Sequence, residues 1–422
     1  MVQRYYIETL GCPKNQVDSD KIAGKLIADG LVATEDASKA DVVVVNTCAF
    51  IEEARKESID TMLSLDDTRK RSSRLIVTGC MAERYGDELA EALPEADQVA
   101  GFGVPLQLTR KPIAVTGEIP KFDLLNLPRP KSTSPWAYVK IAEGCDRSCG
   151  FCAIPSFRGP QRSRDVASIL TEVEQLEVRE VVLIAQDLAS YGKDRPDELG
   201  AGSIVQLVRD VAAMADWVRL LYLYPSDLSD ELIDAILDTG VPYFDLSLQH
   251  ASKEHLRRMK RWGDGPRFLE RIARIRTLSP DAAFRSNFIV GYPGETEEDH
   301  DQLLSFVRDA QLDWCGFFAF SPEDGTHALT LPNRVEEGLM NERLAELREL
   351  QDNISAERRD LLLGETIEVL VDEPGIARSF REAPEIDGVV QVPEHLEVGR
   401  FHTVVVEQVF GPDLIAVEAP GK

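Results

Sequence analysis

The sequence predicts a three-part α/β protein: an N-terminal parallel-sheet α/β domain, a central partial (β/α)6 barrel and a small C-terminal antiparallel β-barrel. Three observations carry that prediction. Over residues 1–120, short unbroken apolar runs alternate with helical patterns, as strands buried on both faces do. Six further strand-and-helix repeats occupy residues 136–363, the composition of an α/β barrel. Residues 364–422 lose the helical period and hold four short runs rich in β-branched residues, which suits a small barrel.

In the first part the runs Tyr5-Tyr6-Ile7-Glu8-Thr9-Leu10, Val42-Val43-Val44-Val45 and Leu75-Ile76-Val77 each lead into a cysteine: Cys12, Cys48 and Cys80. In sheets of this kind ligands collect outside the carboxyl ends of the strands, where all three cysteines stand. A linker over 121–135, with Pro128, Pro130, Pro135, Ser132 and Ser134, marks a boundary. Barrel strands are expected at 137–142, 180–185, 218–224, 243–248, 283–290 and 315–319, with helices such as 166–178 and 230–239 between them. A long charged helix over 335–363 closes the barrel, and the last strands begin at Thr366, Gly388, Phe401 and Leu414.

Composition narrows the classes. The chain of 422 residues is 43% apolar, which excludes global disorder. No apolar run approaches the roughly 18 residues of a spanning helix, and the N-terminus lacks the uncharged core of a signal peptide, so a cytoplasmic protein without a membrane partner is expected. The net charge of −26 disfavours phosphate backbones outside a local basic patch. It fits plain solubility or a basic macromolecular partner.

Six of the seven cysteines fall into two trios. Clustered cysteines in a large chain of this class point to metal or catalysis rather than disulfides. Cys12, Cys48 and Cys80 stand at equivalent strand ends, which favours a shared metal site over three unrelated buried thiols. Cys145, Cys149 and Cys152 follow the first barrel strand with C-x3-C-x2-C spacing. Three thiolates that close can wrap one corner of a 4Fe–4S cube and leave one iron open. Zinc is the competing reading; it wants four closed ligands, and no neighbouring His or Cys supplies a fourth. Cys315 lies in an apolar run and is read as a small buried residue, and the six histidines show no ligand spacing.

The second trio, with Ile154-Pro155-Ser156-Phe157-Arg158-Gly159 behind it, resembles the radical S-adenosylmethionine (SAM) superfamily. With the first trio and the C-terminal barrel, which looks like a TRAM domain, nearly the whole chain resembles the methylthiotransferases, enzymes that insert a methylthio group at an unactivated C–H bond. That resemblance implies two 4Fe–4S clusters, SAM as methyl donor and radical source, and a sulfide held on the N-terminal cluster. By the same resemblance Ile289 and Gly291 lie near the adenine of SAM and Gln186 near its methionine part. Gln249 and Arg285 are weaker candidates, since either could be a structural polar residue of the barrel.

Further stretches resemble the RimO-type branch, which acts on an aspartate β-carbon of ribosomal protein uS12. They include Leu183-Ile184-Ala185-Gln186-Asp187, Leu248-Gln249-His250 and Ala383-Pro384-Glu385-Ile386-Asp387-Gly388. Met259-Lys260-Arg261 keeps the family's Met-x-Arg pattern, whereas Trp262-Gly263-Asp264 departs from it. Charge argues the same way: residues 364–422 hold 12 acidic against 4 basic side chains, which suits a basic protein better than tRNA. The expected partners are uS12 and a reductant such as flavodoxin or ferredoxin. The alternatives are the same chemistry on a tRNA adenosine, or a non-catalytic iron–sulfur protein that binds ribosomal components.

Overall fold

A computed structural model describes residues 2–106, 108, 124–200 and 202–420. Pro120 and the start of the linker, and the terminal Lys422, lie outside the described residues. The chain forms two compact units. One joins Met1–Lys131 with Ala142–Arg147 and Ala153–Arg164; the other joins Ser132–Ile141, Ser148–Cys152 and Asp165–Lys422.

The first unit is built on β1 (Arg4–Thr9), α1 (Pro13–Ala28), β2 (Val42–Thr47), α2 (Glu52–Thr68), β3 (Arg74–Gly79) and α3 (Cys80–Ala92). The three strands are parallel neighbours, flanked by two-residue edge strands at Val32–Ala33 and Gln98–Val99. β2 and β3 are buried along their whole length, which is why their sequences do not alternate. Val43, Val45, Leu75 and Val77 pack one face against Met62 and Leu89. Val42, Val44 and Ile76 pack the other against Ile22 and Leu26. Two later segments join this unit: α4 (Ile154–Arg158) and an antiparallel pair of Ala142–Glu143 with Arg162–Ser163.

The second unit opens with β4 (Trp136–Lys140), α5 (Val166–Leu176), β5 (Glu180–Ile184), α6 (Ser203–Ala212), β6 (Trp217–Leu220), α7 (Asp230–Leu237) and β7 (Tyr243–Gln249). It continues with α8 (Lys253–Arg258), α9 (Gly265–Leu278), β8 (Ala283–Val290), α10 (Glu297–Ala310), β9 (Trp314–Ala319) and α11 (Glu337–Asp360). β4, β5 and β6 form one parallel set and β7, β8 and β9 another. Leu223 joins them, donating its N–H to Asp245 and accepting from Ser247. The six strands thus follow one another as a partial barrel. β6 ends at Leu220, short of the expected 224, because Tyr222 adopts a left-handed φ of 66°.

The C-terminal strands β10 (Thr366–Glu373), β11 (Ile376–Arg378), β12 (Val390–Gln391), β13 (Phe401–Phe410) and β14 (Asp413–Glu418) close a barrel in the order β10-β11-β12-β14-β13. Four of its pairings are antiparallel, but β12 and β14 run parallel, so the barrel is not purely antiparallel as expected.

The segment Arg378–Asp387, between β11 and β12, floors the larger barrel and meets a side chain from every one of its six strands. Tyr138 donates to Pro384 O at 2.9 Å, and Glu180 pairs with Arg378 at 2.7 Å. Arg219 donates to Phe380 O at 2.8 Å, and Tyr243 to Asp387 at 2.6 Å. Arg285 pairs with Asp387 at 3.3 Å, and the Trp314 indole donates to Arg381 O at 2.7 Å. The twelve acids of residues 364–422 therefore do not all face outward. Glu382 is fully buried against Arg359, Asp372 is partly buried beside Arg378, and the Asp387 side chain is 2% exposed. Buried charges persist only when paired in this way.

Candidate functional site

The first trio is assembled by three adjacent strands. Cys12 follows β1 and precedes α1, Cys48 follows β2, and Cys80 opens α3 directly after β3. Gly11 makes the first turn possible: its φ is 95°, and a side chain there would meet the Cys48 sulfur at 2.9 Å. Cys48 and Cys80 are buried, whereas Cys12 is partly exposed. The fully buried Asn15 ties the strand ends together, donating to Leu10 O at 2.8 Å and Thr47 O at 3.0 Å.

Charge separates the three thiols. Burial pushes Cys48 up to about 12 and also raises Cys80, whose rise Arg158 opposes. Burial acts on Cys12 as well, but Lys14, Arg158 and the backbone N–H groups of Asn15 and Lys14 outweigh it and leave the thiol below its ordinary range. The Arg158 guanidinium donates to the Cys80 sulfur at 3.1 Å, Asn15 Oδ1 at 2.8 Å and Glu143 at 2.8 Å. Soft thiolates with a fixed cation beside them fit an iron–sulfur group.

The second trio lies in the loop after β4. In the first unit, Cys145 donates its N–H to Gly159 O at 3.1 Å, and its sulfur accepts from Arg147 N–H at 3.4 Å. Gly144 has φ 80°, and a side chain there would strike Pro160 O at 2.2 Å. In the second unit, the turn after α8 holds the other half of the loop. Gly150 N–H donates to Met259 O at 2.7 Å, and Arg261 donates to the Cys149 sulfur at 3.4 Å and to Ser247 O. Arg261 also lies 4.0 Å over the Tyr224 ring.

Gln186, Gln249, Ile289 and Gly291 all stand at carboxyl ends of barrel strands. Gln186 lies just beyond β5, Gln249 ends β7, and Ile289 and Gly291 flank the end of β8. Gln249 has a left-handed φ of 73° at a register shift against β8, the kind of strain that collects at functional sites. Gly291 N–H donates to Glu295 at 2.6 Å. Arg285 is not brought to this end: it is the third residue of β8 and is ion-paired with Asp245 and Asp387 on the floor. Cys315 is in β9, its thiol pushed up by burial.

The histidines are less scattered than their spacing implies. The His250 and His255 rings lie 4.3 Å apart, and with Glu295 they bring ligand-type atoms within 4.8 Å. Arg343 already pairs with Glu295 at 2.9 Å and Arg258 with Asp299 at 2.8 Å. Two guanidiniums there oppose a further cation, and burial holds His255 down at about 4. Glu295 ties the cluster to the Gly291 loop by accepting the Gly291 N–H. Asp264, in the segment that departs from the family pattern, caps α9 by accepting from Arg267 N–H at 3.1 Å.

Residues 4–101 match Uncharacterized protein family UPF0004, 139–307 the Radical SAM superfamily and 363–418 the TRAM domain. The chain is 41% identical to the ribosomal protein uS12 methylthiotransferase RimO of Moorella thermoacetica, covering 96% of this chain and 97% of that one. This chain belongs to the RimO family of radical SAM methylthiotransferases. RimO of Synechocystis sp. is 39% identical over 98% of this chain and 97% of its own. Among solved structures, the radical SAM methyltransferase TsrM from Kitasatospora setae, determined with cobalamin and a [4Fe-4S] cluster, shares the fold at a TM-score of 0.50 and 13% identity, covering 76% of this chain and 77% of that one. Membership of the RimO family makes this protein a transferase of sulfur-containing groups that uses iron–sulfur chemistry and SAM. Among the described residues no helix is long and apolar enough to cross a membrane.

Arg158, Asn15 and Arg261 were not singled out in the sequence as site residues. Arg158 follows the second trio in Ile154–Gly159 and Arg261 ends the Met-x-Arg pattern, but only the fold brings their guanidiniums to sulfur.

Proposed function

We propose that this protein transfers a methylthio group to the β-carbon of an aspartate in ribosomal protein uS12. The observation that carries the reading is the full-length likeness to RimO relatives combined with three thiols converging from adjacent strands. Cys145, Cys149 and Cys152 would hold one 4Fe–4S cluster, the one that would serve SAM. Cys12, Cys48 and Cys80 would hold a second, the one that would carry a sulfide. The clusters and SAM, when bound, supply the electron, the radical and the methyl group. Gln186, Gln249, Ile289 and Gly291 orient SAM at the strand ends, and Arg261 fixes the loop that carries Cys149. A reductant of flavodoxin or ferredoxin type delivers the electron, and the protein works in the cytoplasm.

The tRNA alternative is disfavoured by the surface of the small barrel. Glu365, Glu368, Glu373, Glu385, Glu394, Glu397, Glu407 and Glu418 are exposed there, against Arg400. A phosphate backbone meets repulsion on such a surface, whereas a basic ribosomal protein meets attraction. Mass spectrometry of uS12 and of tRNA from cells with and without the gene tests the reading. A methylthio mass on uS12 that disappears with the gene is expected; the same loss on tRNA instead overturns it.

A further inference from the structure

Arg158 is the last residue of α4, and its side chain is 2% exposed. The cation is therefore withdrawn from water, and burial works against its charge. Cys80, Glu143 and Asp18 keep it protonated. Its two terminal nitrogens share Asp18, each donating to it at 3.4 Å. Nη1 also meets Glu143 at 2.8 Å, while Nη2 meets Asn15 Oδ1 at 2.8 Å and the Cys80 sulfur at 3.1 Å. Phe102 covers the guanidinium plane at 4.4 Å. Only a planar fork reaches a carboxylate, an amide oxygen and a sulfur together; an ammonium is a point charge.

We propose that Arg158 is a positioning residue for the first trio, one that sets the reduction potential of the iron–sulfur group held there; this rests on the reading of that trio given above. Three thiolates and a sulfide bring several negative charges into a buried site, and adding an electron increases them. A fixed cation with an N–H···S bond to one ligand favours the reduced form, because hydrogen bonds to sulfur and local charge tune cluster potential. Glu143 extends the device. It anchors the guanidinium from the far side and stands two residues before Cys145, so one side chain joins a ligand of the first trio to the strand leading into the second.

The test uses the full chain with Cys145→Ala, Cys149→Ala and Cys152→Ala, which leaves only the first trio to hold iron. After anaerobic reconstitution, iron is counted and the midpoint potential is read by EPR-monitored titration. Arg158→Gln is expected to shift the potential to more negative values, and Arg158→Lys to recover part of that shift. Because Arg158→Gln strands a buried carboxylate, Arg158→Gln with Glu143→Gln is measured alongside, and the same negative shift is expected. An unchanged potential in variants that still hold iron overturns the role of Arg158 and leaves it a strut. If the triple-alanine chain with Arg158 intact holds no iron at all, the reading of the first trio has failed instead.

Discussion

The two ends of the central barrel carry opposite kinds of polar chemistry. At the carboxyl ends stand Gln186, Gln249 with its left-handed backbone, and the loop of Cys149 clamped by Arg261. On the floor side stand Glu180, Arg219, Tyr243 and Arg285, each bonded to Arg378, Phe380 or Asp387. Both ends are polar, yet only one is arranged to receive something. The floor spends its charges on one another, with Glu180 between Arg219 and Arg378 at 2.7 Å from each. The mouth keeps strain and sulfur. A polar residue in a barrel strand therefore says little about ligands until it is known which end it occupies.

Breaking the floor gives the largest expected effect on stability. Arg378→Leu leaves Asp372 without its cation and Glu180 with Arg219 alone, which costs about 3–5 kcal/mol. The urea midpoint should drop accordingly, while iron per folded chain stays unchanged. Cysteine variants should do the reverse. Cys48→Ala should remove about four of eight irons and leave reductive SAM cleavage largely intact, and Cys149→Ala should abolish that cleavage. Both should keep a urea midpoint closer to the parent than Arg378→Leu does.

Gln249→Gly sharpens the contrast at smaller scale. Relief of the left-handed backbone is worth about 1 kcal/mol, so the variant should be no less stable. Its SAM affinity, read by equilibrium dialysis, should fall about tenfold through the lost side-chain hydrogen bond. A variant that is destabilised and binds SAM normally would move Gln249 to the structural side.

Asp387 offers a pH test of the floor. Burial raises its carboxyl to about 6, although Arg285 and the Tyr243 hydroxyl pull the other way. A raised acid favours the protonated folded state, so its contribution is fully present below the ordinary carboxylate value and is lost as pH rises to about 6. Between pH 5 and 7.5 the parent should therefore lose stability relative to Asp387→Asn, measured as the difference in melting temperature at the two pH values. The smallest effect belongs to the outer surface. Glu365→Lys, Glu368→Lys and Glu385→Lys together should slow association with uS12 several-fold at low salt, and the difference should vanish near about 0.5 M, where exposed charges are screened.

The cysteine sites were largely legible in the sequence, and the floor was not, for a physical reason. Strand ends and cysteine spacing are local signals: the apolar runs stop where Cys12, Cys48 and Cys80 begin, and the second trio lies within one loop. The floor is made of pairs such as Glu180 with Arg378, 198 positions apart, and Tyr243 with Asp387, 144 apart. Arg285 shows the consequence. Strand periodicity tells which face a residue occupies, and its distance from the carboxyl end was the clue that mattered. The terminal acids were misread in the same way, because composition counts Glu382 and Asp387 with the exposed Glu365.

The position of the floor segment in the chain has a consequence for synthesis. The ribosome makes β4 to β9 before Arg378–Asp387, so every barrel strand waits for a partner that has not yet left the exit tunnel. Until then Glu180, Arg219 and Arg285 face an unsealed cavity, and the nascent barrel remains a target for chaperones and proteases. A stop codon in place of Arg378 would remove only 45 of the 422 residues, by length alone a mild lesion, yet it would release a chain in which all seven cysteines are present and the barrel is never completed.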